Sequence, residues 1–550
     1  MWRRAARATS ISAVSALVVA SLATVATAGA PAGAAAPLSR GGCAPPPSAA
    51  QPFDLVVGAV ACQDLTDAED LLGSGISVPF EYYVPPACTE AARCPVLYLL
   101  HGFGGSYTEM LGTPGTRPES LAWIAAETKE PPAGFESDPW NYSDPDTWVS
   151  APSALDMILV APLGQTLPGG YGPSAGLDSY WVNWNPRYAQ GGDEPRYDTP
   201  APQFATFVTQ ELPSFVDTYL PAGEGRQFSA IAGVSLGGYG AYDLALQHPD
   251  LYAAMLSVSG AMNFLFAPAP QPGLVTLPAG IQPPIPVVYV RLPALTGAAT
   301  KVPLPSEVGS FATALTALGD PVADEAYFRG NMPTDLAMNA RAYGPTGSQE
   351  LGIDDFWNDM VPTQGVQQLL GGGGTGDLQN DVSSEPFENI VFPMNVDMEL
   401  AFSQQGVQNT FAIHQGNHSD TYRNAWFRGL EEFAYARLSH PGSPLTASQP
   451  SRFDYRTIST DFTIWGWHVT VHRTPVEFLT MRSVSCTGLS LQGTGTVTVT
   501  VPASCGTGLR GATTFSVDLG PDQLTDEPAD LSATGLYGRT VTVALTPLAA

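Results

Sequence analysis

One serine in this chain is placed for nucleophilic chemistry. Gly233-Val234-Ser235-Leu236-Gly237 follows the apolar stretch Phe228-Ser229-Ala230-Ile231-Ala232 and precedes Gly238-Tyr239-Gly240-Ala241-Tyr242-Asp243-Leu244-Ala245, a pattern of strand, sharp turn and helix. A serine on such a turn takes a strained backbone conformation. Glycines two residues to either side leave room for it, and its hydroxyl stands exposed at the amino end of the helix. A hydroxyl of high pKa needs an imidazole to take its proton and an acid to hold that imidazole in the right tautomer, and in this arrangement the chain order is Ser, acid, His. Of the seven histidines, His101 precedes the serine, His248 and His440 stand beside Pro249 and Pro441, and His468 and His472 lie in a β-rich tail. His414 ends the apparent strand Thr410-Phe411-Ala412-Ile413, whereas His418 lies beyond it in Gln415-Gly416-Asn417-His418-Ser419-Asp420. The base belongs in a loop after the last strand, which selects His418. For the acid, Asp377, Asp381, Glu385, Glu388, Asp397 and Glu399 all lie between serine and histidine, and spacing alone does not choose. A developing oxyanion requires two backbone N–H donors. One is that of Leu236; the second belongs to the glycine-rich turn Gly102-Phe103-Gly104.

The elements that must hold these residues are legible as apolar runs. Val78 to Val84 alternates like a strand, and Pro95-Val96-Leu97-Tyr98-Leu99-Leu100 leads straight into His101-Gly102-Phe103-Gly104-Gly105. Met157-Ile158-Leu159-Val160-Ala161-Pro162 gives way to a Gly-rich loop ending in Tyr180-Trp181-Val182-Asn183-Trp184. Near-continuous apolar strands separated by helical stretches such as Phe204 to Leu220 predict an α/β domain, a mostly parallel sheet with helices on both faces. Residues 262–306 are Pro-rich and nearly uncharged. They read as an irregular insertion over the carboxyl ends of the strands, either a flap over substrate or a rigid surface loop. Gly371 to Gly376 has no Lys and opens no phosphate-cradling helix, so it is a turn. A helical stretch from Thr421 to Leu438 ends at Ser439-His440-Pro441-Gly442, and a Pro/Ser-rich boundary follows. Beyond it, Trp467-His468-Val469-Thr470-Val471-His472 and Gly495 to Val501 alternate with period two, predicting a small all-β, sandwich-like module at 452–550. His468 and His472 share a strand face and read as a solvent-facing pair; no metal is predicted.

The amino terminus, Met1-Trp2-Arg3-Arg4-Ala5-Ala6-Arg7 followed by an uncharged run from Ile11 to Val25 and small residues, reads as a signal peptide within 1–36. An extension follows at 37–74, and the catalytic domain is expected at 75–445. The net charge of −28 repels phosphate backbones and argues against nucleic acid as a partner. Six cysteines fall into local pairs, Cys43 with Cys62, Cys88 with Cys94, and Cys486 with Cys505, expected as three disulfides of an exported protein with no permanent membrane anchor.

Four segments carry a family resemblance: Tyr98-Leu99-Leu100-His101-Gly102-Phe103; Gly233-Val234-Ser235-Leu236-Gly237-Gly238; Gly319-Asp320-Pro321 with Asn331-Met332-Pro333; and Gly416-Asn417-His418-Ser419. Over about residues 75 to 440 the chain resembles the esterase D group of α/β-hydrolases, with the antigen 85 mycolyltransferases as its closest secreted branch. The resemblance implies an α/β-hydrolase fold. It also implies Glu388, in Phe387-Glu388-Asn389-Ile390-Val391, as the triad acid, with Asp397 in reserve, and Phe103 as the second oxyanion position. Two departures concern the acceptor. Gly104 and Gly105 stand where the mycolyltransferases carry an Arg that helps hold trehalose, and Ser419-Asp420-Thr421-Tyr422-Arg423 stands where they carry Trp residues after the histidine. The reading is a secreted or wall-associated serine ester hydrolase or acyltransferase for hydrophobic acyl esters, without a cofactor. Acyl transfer to trehalose or another wall sugar is one alternative; a non-catalytic wall-binding protein is another. In a further reading Tyr455, Trp465 and Trp467 of the β module are exposed and dock the enzyme on a glycan or polymer, against their ordinary use as core.

Overall fold

The computed structural model describes residues 56–59, 79–85, 87–106, 110–111, 157–165, 179–185, 202–264, 266–268, 289–291, 317–319, 324–343, 356–360, 385–407, 410–413, 438, 450–474, 476–520 and 539–548. The first strands, β1 (Val56–Ala59), β2 (Pro79–Tyr83), β3 (Val96–Leu100), β4 (Ile158–Pro162), β5 (Ser229–Val234) and β6 (Ala254–Val258), join one sheet. A short antiparallel pair, β7 (Phe266–Pro268) with β8 (Tyr289–Arg291), stands apart. The large sheet is completed by β9 (Phe356–Met360) and β10 (Thr410–Ile413) in the order β1-β2-β4-β3-β5-β6-β9-β10. From β4 to β10 every pairing is parallel, and β1 and β2 run antiparallel at one edge.

The central strands are buried on both faces, so their alternation divides one apolar run between two cores. Val96, Tyr98 and Leu100 of β3 enter a core with Phe80, Ile231, Met255 and the aromatics Trp181, Trp184, Tyr239 and Tyr242. Leu97 and Leu99 enter the other with Leu159, Ala230, Leu256, Met110 and Leu438. This is why β3 reads as a continuous hydrophobic run rather than as an alternating one. Three helices matter for the site: α1 (Leu212–Tyr219), α2 (Leu236–Gln247), which follows β5 directly, and α3 (Glu385–Gln405) between β9 and β10. The helical stretch expected from Phe204 is continuous but passes through a π turn at Phe207–Glu211. Pro213 follows that turn and has no N–H to offer the carbonyl four residues back. The 262–306 segment was expected to be irregular. It carries the β7–β8 pair, with β7 beside α3; the rest of it lies outside the described residues.

The tail forms two antiparallel four-stranded sheets. Its strands are β11 (Phe453–Thr457), β12 (Asp461–Ile464), β13 (Trp467–His472), β14 (Leu479–Ser485), β15 (Gly488–Gly493), β16 (Thr496–Thr500), β17 (Thr507–Gly508), β18 (Thr514–Asp518), β19 (Arg539–Ala544) and β20 (Thr546–Pro547). One sheet is β11-β14-β15-β19, the other β12-β13-β16-β18, and β17 pairs with β20. Inward residues of both larger sheets, among them Phe453, Trp467, Val469, Met481, Leu491 and Val499, share one core. His468 and His472 point outward, as expected. Two hairpins close on two-residue turns with both residues left-handed, Trp465-Gly466 (φ 51° and 78°) and Arg510-Gly511 (φ 53° and 83°). That twist matches the twist of the flanking strands.

The two parts are fastened together. The Tyr455 hydroxyl donates to the carbonyl of Gln247 at the end of α2, 2.6 Å. Asn339 donates to the carbonyls of Leu246 and Arg456 and accepts the Arg456 N–H. At the hairpin tip Trp465 gives its amide to Asp250 and its indole N–H to the Ala342 carbonyl, with the Arg226 guanidinium over its ring. Tyr455 and Trp467 are buried, so these aromatics serve core and junction. Cys88–Cys94 and Cys486–Cys505 are disulfides; Cys43 and Cys62 lie outside the described residues.

Candidate active site

Ser235 sits between the last residue of β5 and the first of α2 with φ 55° and ψ −119°, a region that side chains avoid and that costs of order 1–3 kcal/mol. Its neighbours impose that conformation. The Ser235 N–H is held by the Val258 carbonyl of adjacent β6 at 2.8 Å, and its own carbonyl accepts the Tyr239 N–H at 3.0 Å. A Cβ at Gly237 would stand 1.9 Å from the Leu100 carbonyl oxygen, and one at Gly233 would stand 2.3 Å from the Gly237 backbone. Only hydrogen fits at either place, so strand, turn and helix close more tightly than any side chain permits. The serine is partly exposed at the start of a twelve-residue helix, where the macrodipole and unpaired first-turn N–H groups favour negative charge.

The turn after β3 lies against the serine. A Cβ at Gly102 would be 3.3 Å from Ser235 Cβ and 3.8 Å from Oγ. The Gly105 N–H closes the turn on the Gly102 carbonyl at 3.1 Å, with Gly104 left-handed at φ 69°. Phe103, the turn's second residue, exposes its side chain. The structure brings Ser235, Leu236 and the Gly102-Phe103 turn together.

His101 has a role that the sequence left unassigned. It is buried, and its ring bridges two backbone groups: Nδ1 faces the Gly102 carbonyl at 2.7 Å and Nε2 faces the Gly164 N–H at 2.7 Å. A carbonyl can only accept and an amide can only donate, which fixes the neutral tautomer with its proton on Nδ1. Burial pushes its pKa down to about 4. His101 is a structural tie between the loops after β3 and β4.

The remaining candidates divide as follows. Glu388 lies in the first turn of α3; its side chain, like the whole of His418, lies outside the described residues. β10, the strand before His418, ends at Ile413 on the edge beside β9. Asp397, further along α3, accepts the side-chain N–H of Asn263 from the loop after β6 at 2.8 Å, and burial raises it to about 6. In the described structure its carboxylate is engaged by Asn263.

Residues 173–301, which include Ser235 and its turn, match the Esterase family. Among solved structures, the chain is similar to an S-formylglutathione hydrolase from Agrobacterium tumefaciens, 16% identical over 72% of this chain and 99% of that one, with TM-score 0.38. It is similar to MPT51 of Mycobacterium tuberculosis, 15% identical over 67% and 95%, with TM-score 0.34. A ferulic acid esterase from Anaeromyces mucronatus is 13% identical over 66% and 85%, with TM-score 0.30. No curated protein sequence matches the chain. The family match covers the strained serine turn between β5 and α2 on the mixed, mostly parallel sheet: residues 173–301 of the chain are similar to the Esterase family, and that match supports a hydrolytic enzyme of the α/β class.

Proposed function

We propose that the chain is a secreted serine ester hydrolase or acyltransferase working through Ser235, His418 and Glu388. Ser235 Oγ attacks the ester carbonyl carbon while His418 takes its proton. The carbonyl oxygen becomes an oxyanion received by the N–H groups of Phe103 and Leu236, each such donor contributing roughly 3–4 kcal/mol of barrier lowering. The C–O bond to the alcohol then breaks, the alcohol leaves with the proton from His418, and an acyl-Ser235 remains. Water or an acceptor alcohol discharges it by the same steps in reverse. Glu388 holds the imidazole and stabilises its charged form. The observation that carries this reading is the serine's φ 55°, ψ −119° at the head of α2, with the Gly102 turn pressed against it.

The nearly uncharged 262–306 segment, with only Arg291 and Lys301 charged, favours a hydrophobic acyl group. The signal-like leader and the two disulfides suit export into an oxidising compartment; among the described residues no helix is long and apolar enough to cross a membrane. Tyr455, Trp465 and Trp467 are occupied at core and junction, which leaves the docking role of the β module without its aromatic platform. The test is turnover of a graded series of p-nitrophenyl acyl esters by the mature protein and by Ser235→Ala, with trehalose or glycerol as competing acceptor. Activity lost in the variant supports the nucleophile, and acylated alcohol supports transfer over hydrolysis. Activity retained in Ser235→Ala would refute the assignment.

A further inference from the structure

The aromatic loop that ends in Ser179-Tyr180-Trp181-Val182-Asn183-Trp184 has no part in the chemistry above, yet it is built at a cost. Tyr180 and Trp181 are consecutive bulky residues with φ 54° and 55°, a left-handed pair that only a surrounding structure can hold. Ser179 holds it. Its Oγ accepts the Trp181 N–H at 2.9 Å, its carbonyl accepts the Trp184 indole at 3.0 Å, and its own N–H is bound to the Gly164 carbonyl at 2.8 Å.

The backbone reversal drives the Trp181 ring into a slot between the serine's helix and the loop after β4. A Cβ at Gly240 on α2 or at Gly164 would stand 2.5 Å from the indole, so both walls are cut back to glycine for this ring. At the end of the slot the ring meets His101 edge-on, centroids 5.1 Å apart, and its N–H donates to the His101 carbonyl at 3.3 Å. That carbonyl belongs to the peptide joining His101 to Gly102. The next peptide carries the Gly102 carbonyl at one end and the Phe103 N–H at the other, and a planar trans peptide points the two in opposite directions. The first of these peptides is therefore held by the Trp181 indole and the second by the His101 ring.

We propose that Trp181 is a positioning residue for the oxyanion turn: its indole N–H fixes the His101–Gly102 peptide and with it the direction of the Phe103 N–H. The inference rests on the serine-ester reading above. Trp181→Phe keeps a ring in the slot and removes the donor. Expected are a kcat for a p-nitrophenyl ester lowered by ~10-fold or more, up to the ~10²–10³-fold that losing an oxyanion donor outright costs, and a KM changed by less than about twofold. The affinity for an alkyl boronic acid, whose tetrahedral adduct fills the same hole, should weaken by the same factor as kcat/KM. Ser179→Ala, which removes the acceptor holding the Trp181 amide, should move kcat and boronate affinity in the same direction. Trp465→Phe, which loses an indole bond at the β-module junction, should leave both unchanged, separating positioning from general loss of stability. Unchanged kcat and boronate affinity in both Trp181→Phe and Ser179→Ala, with an active wild type, would overturn the inference and leave the serine-ester reading standing. No turnover and no fluorophosphonate labelling of the wild type would overturn both.

Discussion

Asp243 lies on the serine's own helix with no exposure, one oxygen accepting the Gln247 side-chain N–H at 2.8 Å and the other without a hydrogen-bond partner among the described residues. Burial raises its pKa to about 8 from an ordinary value of 3.8. Between those two values the unfolded chain carries an ionised Asp243 and the folded chain a protonated one, so folding takes up a proton. The stability associated with this group is therefore present below about pH 4 and is lost progressively as pH rises through 8. Each pH unit inside the window is worth about 1.4 kcal/mol, so between pH 5 and pH 7 the loss is about 2.7 kcal/mol. Asp243→Asn keeps an oxygen for Gln247 and cannot titrate. Its constant packing cost is not the signature; the slope is. Urea unfolding of both proteins across that range should show the variant gaining on the wild type by about 1.4 kcal/mol per pH unit. Parallel stability curves would refute the reasoning and show that Asp243 finds a counter-charge or water in solution.

His101 gives the opposite sign: held neutral down to about 4, it contributes stability at neutral pH that falls away from about pH 6.5 to pH 4 as the unfolded state takes the proton. His101→Gln, whose amide can donate to Gly102 and accept from Gly164, should flatten that acid limb by about 1.4 kcal/mol per unit in the same unfolding experiment. Replacing Cys486 and Cys505 together by Ser opens a crosslink of sequence separation 19 and should lower stability by about 3 kcal/mol, with kcat at 25 °C unchanged. Tyr455→Phe removes the bond to the Gln247 carbonyl and should cost about 1–3 kcal/mol by chemical denaturation. Deleting 452–550 outright should give insoluble protein; a soluble truncation with full ester turnover would show the β module to be a detachable accessory.

The sheet was readable because its strands are buried on both sides: Val96 to Leu100 and Ile158 to Pro162 have no polar face to confuse with a helix. The serine turn was readable because its steric demands leave a sequence trace, glycines at 233 and 237 where a Cβ would meet backbone within 2.3 Å. Trp181 and His101 left no such trace. An aromatic in a loop looks the same whether it covers substrate or keys two backbones together, and His101 could be set aside as the base without its true partners being visible. Those partners are Gly164 and Gly102, main-chain groups that any residue type would have offered. The aromatics of the tail were ambiguous for a related reason. Tyr455 alternates inward on β11 and Trp465 occupies a hairpin tip, but whether a tip meets solvent or another part of the chain depends on docking, which local pattern does not encode.

The distribution of backbone strain separates the two parts of the molecule by what each must do. In the β module, the left-handed non-glycine residues are Trp465 and Arg510, each before a glycine in a two-residue hairpin turn where that geometry costs little and continues the strand twist, and Ser483 at the register shift in β14. Around the large sheet, the left-handed non-glycine residues among the described ones are Ser235 directly after β5, Ser259 directly after β6 and the Tyr180-Trp181 pair bonded to the loop after β4, and Gly104 is left-handed in the turn after β3. These four places follow the carboxyl ends of four adjacent parallel strands, the end at which open α/β sheets bind their ligands. Three of the four contain a non-glycine residue whose conformation a glycine would have relieved, so the side chain there has been kept at the expense of the backbone. For Ser235 the retained group is a hydroxyl; for Trp181 it is an indole N–H aimed at the neighbouring turn. In this part of the molecule strain therefore falls where side chains are held against their preference, at the carboxyl end of the sheet where Ser235 stands.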